Sequence, residues 1–187
     1  MNLVEITTDK FDLNIDLIYF TANNFTNKPL YKTDKCLIHK DALNPLKNAI
    51  KLAGSLGYKL KIFDAFRPSD AQWVLWRHTP DPDFLADPRI GSPHSRGVAV
   101  DLTLINIKEE ELDMGTGFDE FTEKSHHGST KISRSSQINR YILLGIMTAS
   151  GWDCYKNEWW HYQLFDSKKY PLLDSKTSNI GIIDQKV

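Results

Sequence analysis

Two segments carry side chains whose types and spacing suit metal-assisted hydrolysis. The first, Ser92-Pro93-His94-Ser95-Arg96-Gly97-Val98-Ala99-Val100-Asp101, places an imidazole and a carboxylate seven positions apart across a turn. The second, Glu158-Trp159-Trp160-His161, places a carboxylate three residues before another imidazole. His94, Asp101 and His161 would give one divalent ion a nitrogen and oxygen donor set with a fourth position open for water, as in catalytic sites. Zn²⁺, one per chain, is the first expectation for such donors in a hydrolytic centre. Bound Zn²⁺ lowers the pKa of water to about 7, and Glu158, not itself a ligand, is the expected general base. Arg67, whose charge does not titrate near neutrality, is the expected stabiliser of the oxyanion formed when a peptide carbonyl is attacked.

The surrounding pattern must position these groups. Val98, Val100, Leu102 and Leu104 alternate with Ala99, Asp101, Thr103 and Ile105, a strand that puts Asp101 on the face opposite the main core. An ionised carboxylate there needs a cation or several donors. Tyr58, Leu60 and Ile62 form a second alternating strand that delivers Asp64-Ala65-Phe66-Arg67-Pro68 at its end. A helix is expected from Asp41, with Leu43, Leu46, Ile50 and Ala53 on one face, Pro45 in its first turn and Gly57 as its stop. Ser69 is read as the cap of a short helix carrying Trp73 and Trp76, followed by a proline-rich loop over 79–93. Residues 1–40 read as a strand-and-loop covering segment, and 106–134 as an inserted loop, mobile or lid-like. A second long helix is expected to start at Ser135 or Ser136 and close at Gly151, and the tail from Asp174 to fray. His161 starts a further strand. Residues three apart on an unbroken strand point to opposite faces, so Glu158 and His161 converge only if the chain turns or bulges at Trp159-Trp160.

Composition narrows the function classes. A chain of 187 residues, 41% hydrophobic and 25% charged, fits a single domain able to bury a core without staples. A formal net charge of -1 offers no basic excess for nucleic acid. The sequence has no apolar run of membrane-spanning length and no secretory pattern at Met1-Asn2-Leu3-Val4-Glu5, so no membrane partner and a cytoplasmic location are expected. Cys36 and Cys154 are read as free thiols. On residues alone plainer roles stay open: Asp101 accepting backbone donors, Glu158 exposed in a turn, Arg67 paired with Asp64 or Asp70. His39, His78, His126 and His127 are read as surface or loop residues, and Trp159 and Trp160 as core and pocket wall.

Several separated motifs occur in the order found in one family. Ser-x-His-Ser-Arg-Gly-x-Ala-x-Asp-Leu-Thr-Leu at 92–104, Asp-Met-Gly-Thr at 113–116, Glu-Trp-Trp-His at 158–161 and Asp-Ala-Phe-Arg-Pro at 64–68 closely resemble the D-alanyl-D-alanine dipeptidases. These include the vancomycin-resistance type and are related to the zinc D-Ala-D-Ala carboxypeptidases. The resemblance implies a single α+β domain with a small central antiparallel sheet flanked by helices, shared with hedgehog-type zinc domains, and hydrolysis of D-Ala-D-Ala to two D-alanines. It implies zinc on His94, Asp101 and His161, Glu158 as general base and Arg67 as transition-state stabiliser. It further implies that Ser92 holds the substrate carboxylate while Asp113 and Tyr19 hold its ammonium. Gly117 stands where the family pattern has proline, and Tyr162 where phenylalanine is common. The rival readings are a D-Ala-D-Ala carboxypeptidase or cell-wall endopeptidase of the same metal chemistry, and a non-catalytic hedgehog-like zinc module.

Overall fold

The computed structural model describes residues 2–183. In chain order the elements are β1 (Leu3–Ile6), β2 (Leu13–Ile15), β3 (Cys36–His39), α1 (Leu43–Ser55), β4 (Lys59–Asp64), α2 (Ser69–His78), β5 (Ala99–Ile105), α3 (Arg134–Ala149), β6 (Asp153–Cys154), β7 (His161–Gln163) and α4 (Ser175–Ser178). β1 and β3 pair antiparallel as a separate ribbon, and the main sheet runs β2-β4-β5-β7-β6. All its pairs are antiparallel except β2 with β4. The α+β expectation holds, with one parallel edge pair added.

One face of this sheet makes the main core. Leu60 and Ile62 of β4 and Val100, Leu102 and Leu104 of β5 pack with Leu46, Ala49 and Ala53 of α1 and Leu143, Ile146 and Met147 of α3. A second apolar cluster gathers Ala71, Val74 and Leu75 of α2 with Tyr19, Leu30 and Tyr31 of the N-terminal segment. β5 is buried along its whole length, so Asp101 sits inside the protein although it points away from the main core. Burying one leucine-sized side chain contributes roughly 1.5–3 kcal/mol, which is what keeps a polar row inside affordable to the fold as a whole.

Local signals differ from expectation at several boundaries. Ser69 is the first residue of α2 rather than its cap; Pro68 takes the capping position, and its ring has no polar atom to make a side-chain cap. Ser133, not Ser135 or Ser136, caps α3, its Oγ accepting from the Ser136 amide. From Asp174 the chain is tied down, contrary to the frayed reading: Asp174 caps α4, Ile180 is buried, and the Lys32 and Ile183 amides donate to the carbonyls of Gly181 and Leu30. Only 184–187 of that tail lie outside the described residues.

The segment 106–134 is fastened to the rest of the domain by hydrogen bonds from buried side chains. Arg140 of α3, buried, donates to the carbonyls of Met114 (2.6 Å), Lys124 (2.7 Å) and His126 (3.2 Å) and to Thr116 Oγ1 (3.2 Å). Thr116 Oγ1 also accepts from Trp159 Nε1 at 2.8 Å, so the segment is fastened to the turn that carries Glu158. Gly115 has φ +79°, and a Cβ there would meet Ile132 at 2.7 Å, which accounts for glycine in Asp-Met-Gly-Thr.

Candidate metal centre and active site

Strand register brings the ligands together. Asp101 on β5 pairs directly with His161 on β7, and with Asp64 on β4. Asp64 shares sequence parity with the core residues Leu60 and Ile62. A register shift between Ile62 and Asp64 inserts Phe63 and brings Asp64 to the polar side, a typical use of a bulge beside a functional site. His94 lies in the helical turn His94–Arg96 just before β5, closed by Gly97 at φ +71°. A Cβ on Gly97 would sit 2.6 Å from Leu3 Cδ2 and 3.3 Å from the His39 amide, so this turn needs glycine for both angle and space. Trp159 and Trp160 form a turn and β7 begins at His161, which supplies the required change of direction. Glu158 Oε2 then lies 3.8 Å from His161 Nδ1.

The ligand atoms of the three residues face one another. His94 Nδ1 is 2.6 Å from the Ala65 carbonyl, an acceptor, so this nitrogen carries the proton and Nε2 presents its lone pair. His161 has an acceptor at each ring nitrogen, Gln163 Oε1 3.1 Å from Nε2 and Asp101 Oδ1 3.1 Å from Nδ1, so with its proton on Nε2 the ring would present the Nδ1 lone pair to a metal. His94 Nε2 and His161 Nδ1 are 3.1 Å apart, and Asp101 places Oδ2 3.2 Å from the first and Oδ1 3.1 Å from the second. One ligand atom from each residue falls within 4.8 Å of the others, all three side chains buried. Acceptors converging on one buried point are mutually repulsive until a cation joins them, so the residues present fit a divalent metal.

Around this cluster the charges alternate. Arg67 is buried and donates from Nε to Asp64 Oδ2 at 2.8 Å and from Nη1 to Gln72 Oε1 at 2.9 Å; its Nη2 is 3.4 Å from Asp101 Oδ2. Burial would weaken its charge, but Tyr19, Asp64, Tyr31 and Asp101 more than restore it. Its guanidinium also stands 4.9 Å from the centre of the Tyr19 ring. Tyr31 completes the support by donating to Asp64 Oδ1 at 2.9 Å. Glu158 is buried, and desolvation, reinforced by Asp101 and Asp119, pushes its carboxyl well above the usual range. A carboxylate that prefers to hold a proton is suited to accept one.

These groups line a cavity of about 220 Å³ shared by Tyr19, Arg67, Ser92, His94, Asp101, Asp119, Glu158 and His161. Its wall includes Phe84, Leu85 and Ala86 of the proline-rich loop. That loop is pinned from two sides: Gln72 Nε2 donates to the Ala86 carbonyl (2.8 Å), while Tyr155 Oη (3.0 Å) and Asn157 Nδ2 (3.1 Å) donate to the Asp83 carbonyl. Ser92 is buried, its Oγ accepting from the His94 amide at 3.2 Å.

Asp113 does not reach this cavity. It is exposed, and its carboxylate accepts from the Gly115 amide and Ser136 Oγ, both at 2.8 Å, so its role is to shape the turn. The carboxylate that the same segment sends into the cavity is Asp119, which accepts a 2.7 Å hydrogen bond from Tyr19. Desolvation, with help from Asp101 and Asp64, pushes the Asp119 carboxyl up to about 8 despite the Tyr19 bond and Arg67. Asp119 also has φ +56°, an uncommon backbone state for a residue other than glycine.

The D-Ala-D-Ala dipeptidase family model matches residues 1–180. The chain belongs to this family. It is 43% identical over 176 residues to the D-alanyl-D-alanine dipeptidase of Escherichia coli, covering 94% of this chain and 91% of that one. The D-alanyl-D-alanine dipeptidase of Enterococcus faecalis is 35% identical over 83% of this chain and 87% of its own length. That of Streptomyces coelicolor is 35% identical over 80% and 84% respectively. In this member of the family, the structure brings together His94, Asp101, His161, Glu158, Arg67, Ser92 and Tyr19, and leaves Asp113 outside.

Sequence reasoning missed Asp119 and Gln72, and offered the pairing of Arg67 with Asp64 only as a plainer alternative, whereas the structure shows that pair beside the cluster. Asp119 lies three residues beyond the Asp-Met-Gly-Thr motif, and the aromatic residue before it is the available signal, since Phe118 packs between Phe63, Tyr19 and Trp160 and so fixes the next side chain inward. Gln72 carries no signal in one dimension, because a helix face places it, and the face that Asp64 takes depends on a bulge. Among the described residues no helix is long and apolar enough to cross a membrane.

Proposed function

We propose that this chain is a zinc dipeptidase that hydrolyses D-alanyl-D-alanine to two D-alanines. The observation that carries the reading is that His94, Asp101 and His161, with Glu158 and Arg67, share one small cavity with a further carboxylate, Asp119, held by Tyr19. A volume of about 220 Å³ lies below the roughly 300–1,000 Å³ typical of drug-sized ligands and favours a very small substrate. Zinc, held by His94 Nε2, Asp101 and His161 Nδ1, would supply Lewis-acid polarisation of the scissile carbonyl and acidify the attacking water. Glu158 takes the proton from that water and passes it to the departing amine. Arg67, fixed by Asp64 and Gln72, stabilises negative charge developing on the carbonyl oxygen. Tyr19 and Asp119 receive the substrate ammonium, and Ser92 donates to its carboxylate, so each charged end of a dipeptide has a partner. Preference for D residues is carried by the family relationship, and a cytoplasmic site of action is part of the same proposal.

The test is digestion of D-Ala-D-Ala, L-Ala-L-Ala and a muramyl pentapeptide in parallel, with metal analysis of the purified protein. The reading expects alanine release from D-Ala-D-Ala alone and about one zinc per chain. Release of terminal alanine from the pentapeptide at comparable efficiency would favour the carboxypeptidase reading. Bound zinc without any hydrolysis would favour a non-catalytic module.

A further inference from the structure

We infer that Gln163 is a positioning residue for the metal site, setting which nitrogen of His161 is offered to the ion; this rests on the metal reading above. The two histidines are oriented by different means. His94 is held through Nδ1 by the backbone carbonyl of Ala65, which no side-chain substitution at position 65 removes. His161 is held through Nε2 by the side-chain oxygen of Gln163, at 3.1 Å.

Geometry explains why Gln163 can do this. Residues two apart on a strand point to the same face, so His161 and Gln163 of β7 are neighbours on the cavity side. Directly opposite on β5 the partner of Gln163 is Ala99, whose methyl leaves room for a long side chain to lie along the strand toward the imidazole. The partner of His161 is Asp101, so the ring is fixed at Nε2 by the glutamine while its Nδ1 faces the carboxylate at 3.1 Å. A neutral imidazole has one proton to place. The Asp101 carboxylate at Nδ1 competes for that proton: an acceptor at Nε2 favours the tautomer that leaves Nδ1 as a ligand, and without that acceptor the proton passes to Nδ1 and blocks it, and the ring loses a restraint on its rotation. Outer partners of metal-bound histidines typically account for 10–100-fold in metal affinity.

Gln163→Met keeps the length of the side chain and removes the acceptor, whereas Gln163→Glu keeps an acceptor and strengthens it. Zinc dissociation constants from chelator competition, with melting temperatures of the metal-free proteins as a control for folding, separate the outcomes. The expected result is zinc binding about 10–100-fold weaker in Q163M and restored to the wild-type level or tighter in Q163E, with metal-free melting temperatures alike. Unchanged zinc affinity in Q163M, or equal weakening in Q163M and Q163E, would overturn the inference while leaving the metal site intact. Wild-type protein that takes up no zinc would overturn the metal reading and this inference together.

Discussion

Replacing Asp119 by asparagine separates the structure's account of ammonium binding from the one the motif implies. An ammonium about 4 Å from a carboxylate gains about 4 kcal/mol at an effective dielectric near 20. Asp119 does not start ionised at neutral pH. Its carboxyl is pushed up to about 8, so ionising it at pH 7 costs about 1.4 kcal/mol. The difference, about 2–3 kcal/mol, corresponds to a loss of roughly 30–150-fold in kcat/KM for D-Ala-D-Ala in D119N. Asp113→Asn, by contrast, alters an exposed carboxylate that shapes a turn, and kcat/KM should stay within about threefold of wild type. Steady-state kinetics of both variants at pH 7, with melting temperatures to confirm folding, make the comparison. A D119N enzyme within threefold of wild type, or a folded D113N enzyme as damaged as D119N, would refute the assignment.

Glu158→Ala should retain zinc and lose about 10²–10⁴ in kcat, measured by metal analysis beside turnover; full activity would exclude Glu158 as the base. His94→Ala should drop zinc from about one per chain to a small fraction of that after dialysis against a weak chelator, since a three-ligand site loses one of three donors. His127 is pushed down to about 4 by burial, then by Arg140 and His161. The unfolded chain therefore binds the proton first, and stability is full above pH 6.5 and lost as pH falls from there toward 4. At pH 5.5 the loss is roughly 1.4 kcal/mol, about 3–6 °C in Tm. Thermal melts of metal-free wild type and His127→Gln at pH 8 and 5.5 should show the variant less acid-sensitive by that amount; equal sensitivity would remove His127 as the cause.

The sequence by itself determined the chemistry of the centre and the order of its parts. Donor types at His94, Asp101 and His161, the carboxylate at Glu158 and the cation at Arg67 are local facts, and alternation around Asp101 was enough to turn it from the main core. Helices with strong apolar spacing, such as α1, were legible for the same reason: their signal lies within a few turns of chain. Tertiary structure decided the rest. Pairing of Asp101 with His161 is a matter of register between strands sixty residues apart, and Asp64 reaches the site only because a bulge at Phe63 reverses its face. The choice of Asp119 over Asp113 depends on where a segment fastened by the buried Arg140 enters the cavity, and that arginine reads in the sequence as one more charge on a helix. Spacing along the chain encodes which groups are present, whereas their convergence depends on contacts whose partners are distant in sequence, which no local pattern records.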